Sequence, residues 1–236
     1  MFGHPLIRLH GWISIIEGGF MTVLYENNDI VVCVKPTGVI SEDGEGGLPQ
    51  LLRQRLNSDI FPIHRLDRGT GGLMVYAKTS AAAAKLSAAI TAGEFVKRYL
   101  TVVCGTPAEN EATLNDLLYH DRRKNKSFVV KRSRAGVKSA ALDYKLLCTT
   151  THKGRDLSLL LVRLHTGRTH QIRVQFSSRR LPLYGDGKYG GRTEAEGIAL
   201  WSYSLSFPWK GVTLEFSSPP QGAPWNFFEH KFKKTK

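Results

Sequence analysis

The chain has 236 residues, of which 42% are hydrophobic and 22% charged, and this balance excludes a disordered or fibrous protein. Its formal net charge of +13 favours a polyanionic partner, most often nucleic acid, although an anionic membrane or a merely basic surface stays open. Three scattered cysteines and the lack of an apolar run of about 18 residues argue against a disulfide-stapled secreted protein and against a membrane-spanning helix.

The first half of the chain predicts three strands and two helices before any functional motif is considered. Residues 22–34 place an Asn-Asn-Asp turn between two apolar runs, which is typical of a β-hairpin. Leucines at helical spacing predict a helix over 48–56, and residues 73–77 are typical of a buried strand. An alanine-rich helix is expected from Ser80, as its N-cap, to Ile90, with Gly93 ending it.

The second half is rich in predicted strands. One helix is expected there, at residues 169–177. The strands are predicted at residues 99–103, 140–147, 157–164, 198–207 and 212–216. Strands in runs with scattered helices favour an α+β protein built on a sheet, and they argue against a regular alternation of strands and helices.

A first chemical motif is His64-Arg65-Leu66-Asp67-Arg68, which leads into a glycine-rich turn before a strand. If the stretch is extended, Arg65 and Asp67 share one face. A neighbouring cation favours the charged form of a carboxylate, and a carboxylate nucleophile must be charged. A structural ion pair in a loop is an equally good interpretation of these residues taken alone.

A second motif, residues 164–174, combines a strand end, a glycine turn and a helix start that is crowded with hydrogen-bond donors. Arg168, His170 and their neighbours are expected in the first helical turn, where anions bind. Arg173 is expected to reach the edge of a site. The alternative is a solvated basic helix.

Two further stretches suggest contacts with nucleic acid. Tyr99 follows Lys97 and Arg98, and an aromatic ring beside cations can stack on a base, although a tyrosine at a strand start is usually packing. Residues 120–138 carry eight lysines or arginines against the single acid Asp121. Two interpretations of this stretch are equally good: it binds a phosphate backbone, or it forms a mobile solvated hairpin.

Taken together and in this order, these motifs resemble the RluA-type RNA pseudouridine synthases. The similarity also takes in the end of the expected hairpin, a glycine-containing loop and the last long strand, so that it covers about residues 22–217. The segments that carry it are His64–Arg68, Lys97–Tyr99, Thr166–Arg173, Lys35–Gly38, Leu181–Asp186, Tyr189-Gly190 and residues 200–207.

The resemblance implies roles for single residues. Asp67 matches the nucleophilic aspartate that lets uracil leave its glycosidic nitrogen, turn and rejoin the ribose through carbon 5. Tyr99 matches the aromatic residue that stacks on the uracil, and Arg173 matches the basic partner of the aspartate. Arg65 matches the arginine that fills the gap left by the flipped nucleotide. Arg168 and His170 are expected to bind substrate, and no cofactor or metal is implied.

The resemblance also implies a fold, a partner and a location. We expect the pseudouridine synthase fold, a mostly antiparallel mixed sheet with helices packed on it and a central active-site cleft. The expected partner is structured RNA, transfer RNA, ribosomal RNA or both, for a cytoplasmic monomer that needs neither a membrane nor an obligatory protein partner. Residues 22–236 are expected to form one catalytic domain after an extension at 1–21, with Met21 as the natural start and residues 1–20 dispensable.

Two departures and one rival interpretation accompany the resemblance. Family members usually have serine where this chain has Gly71, a change that removes a hydroxyl and is expected to loosen the loop. The small N-terminal RNA-binding module of many relatives has no counterpart before residue 22. The rival is a catalytically silent RNA-binding or remodelling protein on the same fold. The presence of Asp67, Tyr99 and Arg173 together argues against this rival.

Overall fold

The computed structural model describes residues 6–9, 21–191 and 197–228, which form two compact units. The first unit contains the described residues up to 97 together with 201–220, and the second contains residues 98–200 and those after 220. The expected boundary between an extension and a single catalytic domain stays a prediction. Most of that extension, residues 1–5 and 10–20, lies outside the described residues.

Twelve strands and three α-helices make up the described chain, and a 3₁₀ turn follows at Trp225–Phe228. The helices are α1 (Leu48–Leu56), α2 (Ser80–Thr91) and α3 (Gln171–Ser177). The strands are β1 (Leu6–Leu9), β2 (Thr22–Glu26), β3 (Ile30–Lys35), β4 (Phe61–Pro62), β5 (Gly71–Ala77), β6 (Val96–Cys104), β7 (Glu111–Asp121), β8 (Lys126–Val130), β9 (Val137–His152), β10 (Arg155–Leu164), β11 (Leu200–Trp209) and β12 (Val212–Ser217).

In the first unit the strands run in the order β2-β3-β5-β11, with β12 beside β11, β1 beside β12, and β4 beside β5. Most neighbours are antiparallel, whereas β5–β11 and β1–β12 are parallel. The hairpin of β2 and β3 turns as predicted, because Oδ1 of Asn27 accepts the N–H groups of Asp29 and Ile30, both at 2.8 Å. The mixed sheet with helices confirms the α+β class.

The two helices of the first unit begin and end where local chemistry favours it. In α1, Pro49 stands in the first turn and Asn57 adopts the left-handed conformation after the last. In α2, Thr79 is the N-cap, since its hydroxyl accepts the N–H of Ala82 at 3.1 Å. The predicted cap, Ser80, is therefore wrong by one residue. Gly93, at φ +75°, follows the helix end as expected.

The core of the first unit lies on the face of the sheet that α2 covers. Strand β5 is buried along its whole length, as its continuous apolar run predicts for a central strand. Its side chains pack with those of β3, α2, β11 and β12 in one cluster that includes Ile30, Val75, Leu86, Phe207 and Phe216. Strand β5 is thus a rigid base directly after the motif that contains Asp67.

In the second unit the strands follow the order β6-β10-β9-β7-β8, and the pairs among β7, β8, β9 and β10 are antiparallel. All five strand stretches predicted for the second half are confirmed. Four of them form longer strands, β6, β9, β10 and β12, and the stretch predicted at 198–207 is β11, shifted by two residues. Strands β7 and β8 were not predicted as strands. Among the described residues, no helix is long and apolar enough to cross a membrane.

Helix α3 begins at Gln171, two residues later than predicted. His170 is its N-cap in the left-handed conformation, with φ 55°, so that Arg168 precedes the helix rather than lying in its first turn. Gln171–Phe176 are all buried, which makes the alternative of a solvated basic helix wrong. Nε2 of Gln171 donates to the carbonyl of Ala141 on β9, and Nε2 of Gln175 donates to the carbonyl of Leu114 on β7, so that both buried amide NH₂ groups have an acceptor.

Candidate active site

The first group of candidate residues lies in residues 64–72, which we call the aspartate turn, between β4 and β5. Asp67 is half-buried, and the N–H of Thr70 donates to its carbonyl at 2.9 Å and closes the turn. Arg65 is exposed, and its Nη1 lies 3.3 Å from a carboxylate oxygen of Glu42. The long cationic side chain of Arg65 is therefore held only by an exposed ion pair, which solvent screens strongly.

The residue before Asp67 is fixed by a buried serine. The hydroxyl of Ser41 donates to the carbonyl of Leu66 at 2.8 Å and accepts the N–H of Leu66 at 3.0 Å. The hydroxyl of Tyr76, on β5, donates to the carbonyl of Ser41 at 2.9 Å. Because both backbone groups of Leu66 are bonded to one side chain, the direction in which the chain enters Asp67 is set.

The other side of the aspartate turn rests on Lys35, which is fully buried. Its Nζ donates to the carbonyls of Pro36 at 2.9 Å, of Val39 at 2.7 Å and of Arg68 at 3.4 Å. Burial lowers the pKa of Lys35 from 10.5 to about 8, and the negative charge of Asp67 partly opposes this shift. A buried ammonium thus holds the turn through carbonyl groups and lies within the electrostatic reach of Asp67.

Residues 35–41, which we call the support segment, also bond the aspartate turn directly. The N–H of Gly38 donates to the carbonyl of Arg68 at 2.8 Å, and Nε of Arg68 donates to the carbonyl of Gly38 at 2.8 Å. Arg68 is therefore a structural residue of the turn. Sequence analysis assigned no role to Lys35 or Ser41, because the need for them arises only when residues some 25 to 35 positions away fold against them.

His64, the first residue of the aspartate turn, also helps to hold that turn in place. Nε2 of His64 accepts the N–H of Val75 at 3.2 Å, so that the ring is neutral and carries its proton on Nδ1. Burial, and then the charge of Lys97, hold the pKa of His64 well below its usual value. A ring that stays neutral at physiological pH acts here as a fixed link from the turn to β5, not as a proton carrier.

Gly72 allows the turn to lie against the next strand. Its φ is +111°, and an added Cβ would overlap the carbonyl oxygen of Ser202 and lie 2.6 Å from its nitrogen. The hydroxyl of Ser202 donates to the carbonyl of Leu73 at 2.9 Å. The glycine is thus required both by its conformation and by the close approach of β11.

The second group of candidate residues surrounds the start of α3. Oε1 of Gln171 accepts the N–H of Arg168 at 3.0 Å and the hydroxyl of Thr166 at 2.8 Å, which shapes the glycine turn of the motif. Nε of Arg168 donates to the carbonyl of Ser139 at 2.9 Å. One face of the Arg168 side chain is therefore engaged by β9, while its residue as a whole is only half-buried.

Arg173 does not lie at an edge as expected. It is 5% exposed, and its Nε and Nη2 donate to the two carboxylate oxygens of the fully buried Asp186 at 2.7 and 2.9 Å. Its guanidinium lies 5.1 Å from the ring centroid of Tyr189. A bidentate pair of this kind fixes the orientation of the guanidinium plane as well as its position.

Tyr189 connects this pair to the β7–β8 hairpin. Its hydroxyl accepts the N–H of Ser127 at 2.7 Å and lies 3.0 Å from Nδ1 of His170. Nζ of Lys126 lies 5.1 Å from the centroid of the ring. Burial raises the pKa of Tyr189, so that its hydroxyl stays protonated. His170 is 8% exposed and is therefore a buried partner of Tyr189.

Asp186 and Tyr189 lie on a tight loop, residues 183–191. The carbonyl of Asp186 accepts the N–H groups of Tyr189 and Gly191, and an added Cβ on Gly191 would overlap the carbonyl oxygen of Leu183. Sequence analysis quoted Asp186 and Tyr189 in the resemblance without giving them a role. Their signal was a carboxylate and an aromatic residue inside a glycine loop.

Tyr99 lies on β6 and is 5% exposed, so that most of its ring is packed. Among the predicted residues, Asp67 and Arg65 belong to the aspartate turn in the first unit. In the second unit, His170 and Arg173 are joined through Tyr189, and Arg168 lies at the start of the same helix. Each unit therefore presents its own set of fixed polar groups.

Comparison with known proteins places the chain. A family model described as RNA pseudouridylate synthase matches residues 29–178. The Bacillus subtilis protein named uncharacterized RNA pseudouridine synthase YlyB is 30% identical over 215 residues, which cover 84% of this chain and 69% of that protein. Ribosomal large subunit pseudouridine synthase D of Yersinia pestis is 34% identical over 181 residues, which cover 73% of this chain and 53% of that protein.

Solved structures agree. Human RNA pseudouridylate synthase domain containing 1 superposes with a TM-score of 0.76 at 25% identity, covering 87% of this chain and 86% of that one. Human RNA pseudouridylate synthase domain containing 4 superposes with a TM-score of 0.71 and shares the fold. The chain therefore belongs to the RNA pseudouridylate synthases, a family of isomerases, and it is similar to the RluA and RluD type within that family.

Proposed function

We propose that this protein converts specific uridines of structured RNA, in transfer RNA, ribosomal RNA or both, to pseudouridine, with Asp67 as the nucleophile. The observation that supports this most is the construction of the aspartate turn. Ser41 fixes Leu66 on one side of Asp67, and the buried Lys35 supports the carbonyl of Arg68 on the other. So much fixed structure around a half-buried carboxylate suits a group that must meet a substrate atom.

The reaction exchanges one bond between base and sugar for another and moves one proton. The bond between N1 of uracil and C1′ of the ribose breaks, the base turns, and a bond between C5 and C1′ forms. C5 then loses its proton and N1 gains one, so that the product is an isomer. Asp67 reacts as the carboxylate. It either adds to C1′ in a bond that breaks when C5 attaches, or it removes a ribose proton that is returned to the ribose when C5 attaches. Both routes need the charged form of the carboxylate.

The other candidate residues have roles that follow from the resemblance and suit their positions. The exposed side chain of Arg65 is long enough to occupy the gap left when the target nucleotide is flipped. The ring of Tyr99 stacks on the uracil, Arg173 supplies the basic group of the reaction, and Arg168 and His170 contribute to RNA binding. We place the reaction in the cytoplasm, in a monomer that uses no cofactor or metal.

The RNA backbone is bound, in this proposal, by the basic stretch 120–138. Seven of its eight cations are exposed. They lie on the β7–β8 hairpin, on the turn that follows and at the start of β9: Arg122, Arg123, Lys124, Lys131, Arg132, Arg134 and Lys138. Phe128 stands exposed among them on β8. Cations interleaved with an aromatic ring suit a phosphate backbone and an unstacked base.

The test is mapping of pseudouridine by carbodiimide labelling in transfer and ribosomal RNA from cells with and without the gene. One or a few sites should disappear, and the wild type should restore them. Asp67→Asn should not restore them, because the amide removes the nucleophile. Asp59→Asn, the same change at an exposed aspartate of the first unit, is the matched control and should restore every site.

Purified protein on unmodified transcripts completes the test. Asp67→Asn should bind RNA within about threefold of the wild type, because it removes one anion and no cation. A large loss of RNA affinity in that variant contradicts the role given to Asp67. Binding by the wild type without any modification, in cells and on transcripts, would instead favour the silent RNA-binding protein.

A further inference from the structure

The space beside Gly71 is filled by a side chain from another strand. A Cβ added at residue 71 would overlap Cζ3 of Trp201 and would lie 2.8 Å from Cε3 of the same ring and 2.9 Å from Oγ1 of Thr37. Real side chains do not make such contacts, so one of the groups would have to move. The space that a side chain at residue 71 would take therefore holds the indole ring of Trp201.

The ring of Trp201 is not free to move away. Trp201 is paired with Gly71 in the parallel register of β5 and β11. Its Nε1 donates to the carbonyl of Ser218 at 2.7 Å, and its neighbour Ser202 donates to the carbonyl of Leu73 at 2.9 Å. Rotating the indole to admit a side chain at residue 71 would break the first of these hydrogen bonds.

The position of the ring connects it to Asp67. Gly71 directly follows Thr70, whose N–H closes the aspartate turn on the carbonyl of Asp67. Thr37, on the other side of the same space, belongs to the support segment. A half-buried ring thus lies where the aspartate turn ends and beside the segment that supports it.

We propose that Trp201 is a positioning residue for Asp67, and that Gly71 and Trp201 are a coupled pair in which the indole replaces the missing side chain. This inference rests on the proposed function, because it assigns Trp201 the task of holding the reactive carboxylate. Trp201 acts through the turn and touches no reacting atom. Either partner of the pair is functional only when the other is present.

The test is a cycle of Gly71→Ser, Trp201→Ala and the double variant, with kcat, KM and the unfolding midpoint in urea measured for each. Gly71→Ser should lower kcat about tenfold, since its side chain displaces the ring and the turn, and Trp201→Ala should do so because it empties the space. KM for RNA should change little. The double variant should be more active than either single variant, because the serine then occupies the vacated space.

Two controls separate positioning from packing. Trp209→Phe, at the other end of β11, should leave kcat unchanged while lowering stability. Trp201→Phe keeps a ring in the space and should retain more activity than Trp201→Ala. If the double variant loses the product of the two single losses, or if Trp201→Ala lowers only the unfolding midpoint, the pair is not coupled to Asp67 and the inference is wrong.

The outcomes for the two proposals differ. A wild type that forms no pseudouridine overturns the proposed function, and the positioning role with it. An active wild type, an inactive Asp67→Asn and a fully active Trp201→Ala overturn the inference alone. Recovery of activity in the double variant supports both.

Discussion

Asp67 and Arg173 are held in two different ways. The aspartate turn is fixed mainly through its backbone, since Ser41, Lys35 and Gly38 all bond backbone groups of Leu66 or Arg68. Arg173 is fixed through its own side chain. The guanidinium donates two hydrogen bonds to the carboxylate of Asp186 and packs against the ring of Tyr189. The first arrangement leaves the Asp67 side chain half-buried, whereas the second buries Arg173 almost completely.

The difference predicts whether loss of a supporting side chain lowers the activity or the stability of the protein. Where carbonyl and N–H groups carry the contacts, loss of one supporting side chain shifts the turn and should affect the reaction more than the folding. Where two opposite charges are buried together, loss of one removes the counter-charge of the other and should affect folding first. Five experiments test this difference, beginning with the variant that should change stability most.

Asp186→Ala should lower the free energy of unfolding by about 3–5 kcal/mol, because it removes the buried carboxylate that both Nε and Nη2 of Arg173 contact. Equilibrium unfolding in urea measures the change. Asp43→Ala is the matched control, since Asp43 pairs with Arg53 at 2.6 Å but both are exposed, and its cost should stay below about 1 kcal/mol. Equal costs for the two variants would contradict the comparison.

Lys35→Met should lower kcat about 100-fold, because three carbonyls lose their shared donor and the turn shifts by a fraction of an ångström to an ångström. Lys78→Met is the control, since Lys78 is also largely buried but pairs with Glu26 at the end of β2. It should leave kcat within about twofold. A kcat that falls no further in Lys35→Met than in Lys78→Met would refute the role of Lys35.

The same lysine predicts a dependence on pH. The pKa of Lys35 is about 8 in the folded protein and 10.5 ordinarily, so that the unfolded chain binds the extra proton between these values. The free energy of unfolding of the wild type should therefore rise from pH 8 to 10.5 relative to Lys35→Met. Unfolding of both proteins across this range measures it, and a constant difference would show that the pKa is not lowered.

Tyr189→Phe should cost about 1–3 kcal/mol of unfolding free energy, because the N–H of the buried Ser127 loses its acceptor. Tyr144→Phe removes a hydroxyl that donates to the carbonyl of the exposed Glu109 at 3.1 Å. That carbonyl can bond water instead, so the control should cost less than about 1 kcal/mol. Urea unfolding compares them, and the reverse order would be evidence against the Tyr189 network.

Lys131→Gln with Arg132→Gln should have the smallest effect, a reduction of about 1–2 in the slope of log affinity for RNA against log salt. Both side chains are exposed after β8 and should leave folding unchanged. Lys85→Gln, on the exposed side of α2, removes a cation outside the hairpin and should not change the slope. Binding titrations at several salt concentrations decide whether the hairpin touches phosphate.

The secondary-structure features that depend on neighbouring residues were predicted correctly from the sequence. The turn at Asn27, the end of α2 at Gly93 and the burial of β5 all follow from neighbouring residues. The prediction missed β7 and β8, because polar residues break up the apolar positions of β7 and β8 is only five residues long. It also misjudged the start of α3, since the left-handed His170 is imposed by contacts with Tyr189.

The residues of the candidate site also differ in how readily they can be recognised from the sequence. Asp67 and Arg65 are visible in the sequence, because charged residues beside glycines in a short motif stand out. Lys35 and Ser41 do not, and neither does the match of Trp201 to Gly71, since the partners lie far apart in the chain. A buried lysine or serine has meaning only once its acceptors are known.

The sequence alone is enough to infer the family and to propose the reactive carboxylate, because both depend on residue types and their order along the chain. The folded structure adds how that carboxylate is held, that Arg173 is buried against Asp186 rather than exposed, and that an indole fills the space at Gly71. The reason is physical: hydrogen bonds and packing join groups that are distant in sequence, and no local pattern records which of them will meet.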